Sequence, residues 1–271
     1  MERERVVDTI KIITSDIKKK SIIQNTAIRD SIFRILENEC TVVYYPLEDE
    51  KNRGFHIKRI VKDELEDFVY INTAKPIAEQ IFAAAHEFGH ICEVAEKVWK
   101  TLGYEGKPTV EEEEDITDWF AAELLMPTEA FRDAFFAHMN ELGIKAGRVK
   151  LDDLVRVIVL QMNDFMVPYE SVRRRLVETS VMQHEAADYL LSKKDEILKL
   201  VAFFTEDRNT YLGKGTDVKT VTGIRTLIEN AENNENVDKY LLMKIKKEFD
   251  IEDMPITKES YEIRIGESND E

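Results

Sequence analysis

Apolar residues recur at helical spacing over the first 39 positions, which predicts an N-terminal helical segment. The apolar stripe consists of Ile10, Ile13, Ile17, Ile28, Ile32, Ile35 and Leu36. Three short stretches follow at 41–47, 54–60 and 67–73, and all are rich in β-branched and aromatic residues. Because polar turn sequences separate them, we predict that they form a small β-meander.

Helical patterns follow these strands. Pro76 stands where a first helical residue is favoured, and the apolar spacing predicts one helix from there to about residue 100. A second long helix is predicted from the acidic cluster near Glu111 to Met126. Pro127 ends that helix and can begin the next one.

The C-terminal part of the chain also has helical periodicity. Residues 151–179 have the pattern helix, short turn, helix, and three further amphipathic patterns lead to an acidic tail at 266–271. We therefore predict an α+β protein with a small, mainly antiparallel sheet. Its predicted parts are an N-terminal helical segment at 1–39, a central domain at 40–180 and a helical C-terminal region of unknown role at 181–271.

The composition indicates the cellular compartment and disfavours some classes of binding partner. With 43% hydrophobic and 34% charged residues, the chain can bury a substantial core and stay in solution. Its formal net charge of -16 disfavours a general nucleic-acid or anionic-membrane surface, because phosphates would be repelled. Two cysteines without a C-x-x-C pattern, a charged N-terminus and short apolar runs favour a cytoplasmic protein.

The stretch HEFGH at 86–90 carries the candidate chemistry. Residues four apart lie on one face of a helix, so His86 and His90 can direct both imidazoles at one metal ion. Glu87 lies one position round and can act as general base on a water molecule at that ion, as in H-E-x-x-H metallopeptidases. Gly89 leaves room for a close neighbour. The competing interpretation is a helix with two unrelated histidines.

A catalytic zinc ion usually has three protein ligands, so a third ligand is needed. The acidic run at 111–115 supplies candidates, although its first three glutamates are interpreted as a solvated helix start. Glu114 is followed at i+4 by Asp118, ahead of an apolar stretch. We therefore predict Glu114 as the third ligand and Asp118 as acceptor of the distal N–H of a ligating histidine.

The remaining candidate ligands receive other interpretations. Cys92, two residues past His90, is assigned to core packing, and His56, His138 and His184 to structural or surface positions. Zinc is the predicted ion, although two histidines and one carboxylate also suit iron or manganese.

Together, HEFGH and EDITDWFAAELLMP at 114–127 resemble the ImmA/IrrE family of bacterial metallopeptidases. That family carries H-E-[LF]-G-H and, about two dozen residues later, a segment of the form E-x-E-A-N-x-F-A-A-x-L-L-M-P. On this pattern Glu114 takes the ligand position. Ile116 replaces the second glutamate, which argues against a ligand there, and Thr117-Asp118 replaces Ala-Asn, which keeps a polar acceptor. The resemblance covers about residues 30–180.

The resemblance implies a compact gluzincin-like domain with an active-site helix, in a protein encoded by a bacterium or a mobile element. It also implies a zinc-dependent endopeptidase that cleaves a transcriptional repressor and so releases stress-response or mobile-element genes. The expected partner is this protein substrate, with no direct nucleic-acid binding and no membrane contact.

Two other functions are left open. The protein could be a non-catalytic metal-containing module that binds and titrates a repressor, although Glu87 would then have no use. The element at 151–179 could also be a DNA-binding helix-turn-helix, which the acidic composition disfavours. Its phosphate contacts would be Arg173, Arg174 and Arg175. If the element instead packs on the central domain, these arginines could receive an acidic substrate segment.

Overall fold

The computed structural model describes residues 3–20, 27–49, 51–61, 63–145, 147, 149–205, 210–234 and 236–251. Within these ranges lie four strands and twelve α-helices, which confirms the predicted α+β class. The acidic tail at 266–271 lies outside the described residues.

The strands are β1 (Thr41–Tyr45), β2 (Gly54–Val61), β3 (Glu64–Asn72) and β4 (Thr220–Val221). The helices are α1 (Arg3–Lys20), α2 (Ser31–Glu39), α3 (Ile77–Ile91), α4 (Val94–Leu102), α5 (Val110–Leu125), α6 (Thr128–Glu141), α7 (Leu151–Phe165), α8 (Tyr169–Glu178), α9 (His184–Ser192), α10 (Lys194–Thr205), α11 (Ile224–Glu232) and α12 (Lys239–Glu248). A short 3-10 helix spans Thr210–Gly213.

The strands form one sheet in the order β2-β3-β1-β4, and the predicted meander is wrong. β2 and β3 form an antiparallel hairpin, whereas β1 pairs with β3 in parallel. The buried Asn72 at the end of β3 donates its side-chain amide to the backbone oxygens of Leu47 and Asn52. These bonds hold the connection after β1 across the end of β3, so β2 reaches the outer edge. The two-residue β4, too short for a recognisable pattern, pairs antiparallel with β1.

The N-terminal apolar stripe belongs to two helices, α1 and α2, that join the core. Ile10 of α1 and Ile32 and Leu36 of α2 are buried. α2 and α3 pack on the sheet, while α1 packs against α4 and α5. The sheet and these helices therefore enclose the active-site helix predicted from HEFGH, which is α3.

The single helix predicted from Pro76 to about residue 100 is in fact two helices. Pro76 is the N-cap residue of α3, and the chain turns at Glu93, whose φ of 50° is left-handed. After the turn, α4 buries Val98 and Trp99. Because apolar residues continue at helical spacing across the turn, the sequence pattern hid the break.

A capping box fixes the start of α5. The side chain of Thr109 accepts a hydrogen bond from the backbone N–H of Glu112, and the Glu112 carboxylate accepts one from the backbone N–H of Thr109. α5 ends at Leu125, just before Pro127, close to the predicted bounds. The acidic cluster is therefore ordered as the first turns of a helix.

By its internal contacts the chain forms two units, Met1–Thr222 and Gly223–Glu271. The first contains the sheet and α1–α10, and the second contains α11 and α12, which pack against each other. The domain bounds at 40 and 180 stay a prediction. No helix within the described ranges is both long enough and apolar enough to cross a bilayer.

Candidate metal centre

Helices α3 and α5 approach each other closely because residue 89 is a glycine. A Cβ atom at Gly89 would lie 2.7 Å from Cγ2 of Thr117 and 2.9 Å from Cδ1 of Phe120. Both distances are too short for real carbon atoms, so a larger residue would push the helices apart. The contact brings the histidine-bearing face of α3 against the acidic start of α5.

Three side chains converge where the two helices meet. The Nε2 atoms of His86 and His90 lie 3.1 Å apart, and the Glu114 carboxylate lies 3.2 Å from the first and 3.5 Å from the second. Four ligands placed tetrahedrally at about 2.0–2.1 Å from a zinc ion would be separated by roughly 3.3–3.4 Å. The three donor groups therefore fit one zinc-sized ion without rearrangement of the backbone.

A carboxylate lies behind each histidine. Nδ1 of His86 is 2.9 Å from Oδ1 of Asp118, and Nδ1 of His90 is 3.1 Å from Oε1 of Glu113. An ionised carboxylate only accepts hydrogen bonds, so each Nδ1 carries the hydrogen and donates it. Each Nε2 then presents its lone pair to the shared space, which is the form a metal ligand requires.

The two histidines differ in their affinity for a proton. Burial opposes a charge on His86, but the bonded Asp118 and the carboxylates of Glu87 and Glu114 outweigh it and raise its pKa. Burial and the nearby His86 lower the pKa of His90, against the opposing effect of Glu114 and Glu113. Two cationic rings this close would repel each other, so one proton is favoured over two. A metal ion would displace that proton, and metal affinity should fall as pH falls.

Glu87 is buried beside this group without belonging to the three converging donors. Burial raises the pKa of its carboxyl to about 7, an effect to which Glu114 adds and which His86 opposes. β2 passes next to it, because a Cβ at Gly54 would lie 3.4 Å from Oε1 of Glu87. A carboxyl group with a pKa near neutrality, next to a candidate metal site, has the properties of a general base.

The contact of Glu113 with His90 was missed in the sequence, where Glu113 was assigned to a solvated helix start. The signal was present in the helix geometry. His86 contacts Asp118, and His90 contacts Glu113. A step of four residues toward the C-terminus of α3 therefore matches a step of five residues toward the N-terminus of α5. Two antiparallel helices that place Asp118 behind the first histidine must therefore place residue 113 or 114 near the second.

The other interpretations of this region agree with the packing. Ile116, which replaces the family's second glutamate, is fully buried in the core. Cys92 packs half-buried against the core, and burial raises the pKa of its thiol to about 11, which disfavours the thiolate that a metal would need.

The remaining histidines lie outside the converging group. His56 on β2 contacts Asp67, with Nε2 2.5 Å from Oδ1, and its ring lies nearly parallel to His90 at a centroid distance of 6.3 Å. His138 on α6 contacts Asp164 on α7. His184 is exposed at the start of α9.

The three consecutive arginines of α8 have different environments. Arg173 is buried and bonded to Glu170, and Arg175 is buried and bonded to Glu123 and to the backbone oxygen of Met126. Only Arg174 is exposed. The DNA-binding hypothesis therefore loses two of its three phosphate contacts, and α8 instead packs on the central domain.

Comparison with known families decides which proteins this site belongs with. The model of the IrrE N-terminal-like domain, named Peptidase M78, matches residues 37–177, more than half of the 271 residues. The chain belongs to the Peptidase M78 family. The resemblance found in the sequence is thereby confirmed, over a range close to the predicted 30–180. The Peptidase M78 range contains α3 and α5 entire, and α9–α12 lie beyond it.

One solved structure, a Mycobacterium tuberculosis transcriptional regulator, is similar to this chain with a TM-score of 0.42 and 15% sequence identity. The similarity covers 65% of this chain and 52% of that one, so the chain spans about half the length of the regulator. At this level the likeness carries no argument about function. No curated protein matches the sequence.

Proposed function

We propose that this Peptidase M78 protein is a zinc-dependent endopeptidase that cleaves a protein substrate, a transcriptional repressor. The observation that carries the proposal is the buried Glu87 beside the three converging donors His86, His90 and Glu114. A purely structural metal site has no need of an unligated carboxyl group with a pKa near 7.

In this proposal His86, His90 and Glu114 hold the ion, and Asp118 and Glu113 keep the two imidazoles in the ligating orientation. The ion would supply Lewis acidity, polarising the scissile carbonyl and making water more acidic. Glu87 accepts a proton from the attacking water molecule at its carboxylate. It then delivers that proton to the nitrogen of the leaving amine, so the carboxylate is regenerated at the end of the cycle.

The sheet edge next to Glu87 supports a polypeptide substrate. β2 is an edge strand whose only strand partner among the described residues is β3. Its outer backbone N–H and C=O groups can pair with an extended segment of another chain. Because Gly54 of β2 lies next to Glu87, a segment added along this edge passes beside the proposed base.

The repressor as substrate is an extension from the family resemblance, and it is tested directly. The purified protein, with its metal content measured, is incubated with the repressor encoded beside its gene, with and without a chelator. We expect one discrete cleavage product, identified by mass spectrometry, that disappears with chelator and with Glu87→Gln. The Glu87→Gln variant should keep its metal.

The control is Glu111→Gln, which removes an exposed carboxylate from the same acidic cluster. It should cleave as the wild type does. Binding of the repressor without any product would favour the non-catalytic titrating module instead.

A further inference from the structure

A large cavity adjoins the candidate metal centre. It has a volume of about 1050 Å³ and lies within the first unit, with Asp118, the carboxylate behind His86, in its wall. Its lining residues come mainly from α3, α5, α8, α9, α10 and the 3-10 helix. The parts from α9, α10 and the 3-10 helix lie beyond the range that matches the family.

The lining combines apolar and cationic groups. Phe82, Trp119 and Leu198 contribute apolar surface from α3, α5 and α10. Among the described residues, four arginines and Lys194 also line the cavity. Arg173 is buried, whereas Arg3, Arg53 and Arg174, from three separate parts of the chain, are exposed. Arg3 additionally stacks over the Trp119 ring, with its guanidinium carbon 5.2 Å from the ring centroid.

Each of these three exposed arginines is held by an acid that is less exposed than the arginine itself. The side chains of Arg3 and Glu178 are 53% and 12% exposed, those of Arg53 and Glu79 are 64% and 27%, and those of Arg174 and Asp118 are 60% and 39%. The acids therefore lie on the inner side of each pair, and the guanidinium groups face outward. A guanidinium has five N–H donors in a fixed fork, so one edge can donate to the paired acid while another donates to a second carboxylate.

We infer that this cavity binds an acidic, partly apolar segment of the protein substrate, with carboxylates on Arg3, Arg53 and Arg174 and apolar side chains against Trp119 and Leu198. The inference rests on the proposed function, since it gives the peptidase a substrate class. It also gives a role to α9 and α10, which complete the cavity outside the family range.

A nucleic acid suits the cavity less well. Acids such as Glu170 and Asp188 also line it and would repel a continuous row of phosphates. Discrete carboxylates need only reach the exposed edges of Arg3, Arg53 and Arg174, whose other edges are already paired with Glu178, Glu79 and Asp118. An apolar wall also favours side chains over a sugar-phosphate backbone.

The test measures binding without cleavage. Fluorescence anisotropy follows a labelled short peptide of alternating Glu and Leu added to metal-loaded Glu87→Gln protein, alongside matched peptides with Gln or Lys in place of Glu. We expect the Glu peptide to bind most tightly, and added salt to weaken its binding. In the same background, Arg3→Gln, Arg53→Gln and Arg174→Gln should each raise the Kd roughly three- to tenfold.

Two controls keep the result specific. Arg34→Gln removes an exposed arginine on α2 that does not line the cavity, and it should leave the Kd unchanged. Ala202 is exposed on the α10 wall, so Ala202→Glu should weaken binding of the Glu peptide by charge repulsion while Ala202→Gln should not.

The inference is overturned if the Gln or Lys peptide binds as tightly as the Glu peptide, or if Arg34→Gln weakens binding as much as the cavity variants. It is also overturned if a short DNA duplex binds in place of the peptide with the same dependence on the three arginines. Tight, arginine-dependent peptide binding by a protein that cleaves nothing would contradict the proposed function alone. Cleavage of a repressor by a protein that does not distinguish the peptides would contradict this inference alone.

Discussion

The candidate metal centre and the site of His138 both contain partly buried histidines beside carboxylates, but they differ in which ring nitrogen contacts the carboxylate. His86, His90 and His138 have side chains that are 14–15% exposed, and each contacts a carboxylate on a neighbouring helix. Nε2 of His138 contacts the Asp164 carboxylate, and Nδ1 of His138 lies 3.5 Å from the Glu141 carboxylate. At the candidate metal centre, Nδ1 of each histidine contacts a carboxylate. The Nε2 atoms of the two histidines lie near each other and near Glu114.

The difference teaches that a carboxylate beside a histidine does not by itself indicate a metal site. What distinguishes the centre is that its histidines are four residues apart on one helix face and use the same ring nitrogen for their orienting bonds. The other nitrogens are thereby directed to one point. At His138 a single ring joins α6 to α7, which is the geometry of a packing contact.

The largest expected effect tests this distinction directly. Replacement of a proposed ligand, His90→Gln, should lower zinc affinity by more than the roughly 100-fold that loss of an orienting partner can cost. His138→Gln, the matched change at the packing site, should leave zinc affinity unchanged. Competition with a chromophoric chelator measures both. Equal losses in the two variants would show that zinc binding does not depend on the converging group.

A smaller effect is expected from the orienting carboxylates. Asp118→Ala and Glu113→Ala should each weaken zinc binding by about 10- to 100-fold, because the imidazoles lose the acceptors that fix their orientation. Glu111→Ala supplies the comparison within the same acidic cluster. If Glu113→Ala behaves like Glu111→Ala, then Glu113 belongs to the solvated helix start after all.

The close helix approach predicts a loss of stability. Gly89→Ala introduces a Cβ that meets Thr117 and Phe120, which should cost roughly 1–3 kcal/mol of unfolding free energy, or about 2–4 °C of Tm for each kcal/mol. Gly213→Ala is the control, because a Cβ there meets nothing within 4 Å. Differential scanning calorimetry of both variants checks the prediction, which an unchanged Tm in Gly89→Ala would refute.

A further expected effect is a pH dependence of the metal-free protein. Burial raises the pKa of Glu87 from 4.5 to about 7 in the folded state, so its contribution to stability is present at low pH. That contribution is lost as pH rises through about 7, where folding must bury a charge. The Tm of the wild type relative to Glu87→Gln should therefore fall between about pH 5 and pH 8. A constant difference would show that Glu87 does not titrate in this range.

The sequence predicted the centre better than its surroundings. His86, Glu87 and His90 follow from a local pattern, and Glu114 with Asp118 from one helical turn, and the structure brings all five side chains together. Glu113 needed the antiparallel contact of α3 with α5, which no single-helix pattern contains. Whether these residues bind and use zinc stays a prediction until metal and activity are measured.

The sheet and the cavity depended on contacts between distant residues. β1 pairs in parallel with β3, and the side chain of Asn72 bonds the segment that connects β1 to β2, while β4 lies more than 140 residues after β3. The break at Glu93 follows from the packing of α4 against other helices. Helical periodicity places Arg174 opposite the buried Tyr169, Val172 and Leu176 of α8. Only tertiary structure shows that its neighbours Arg173 and Arg175 are buried and bonded to Glu170 and Glu123.

Asp118 has one consequence for how the protein responds to its partner. One of its carboxylate oxygens is 2.9 Å from His86 and the other is 3.7 Å from Arg174 in the cavity wall. An acidic group that pairs with Arg174 in place of Asp118 would leave the Asp118 carboxylate less neutralised where it accepts from His86. If the cavity and the metal centre are occupied as proposed, the two binding events are thermodynamically coupled, and each changes the affinity of the other by the same factor.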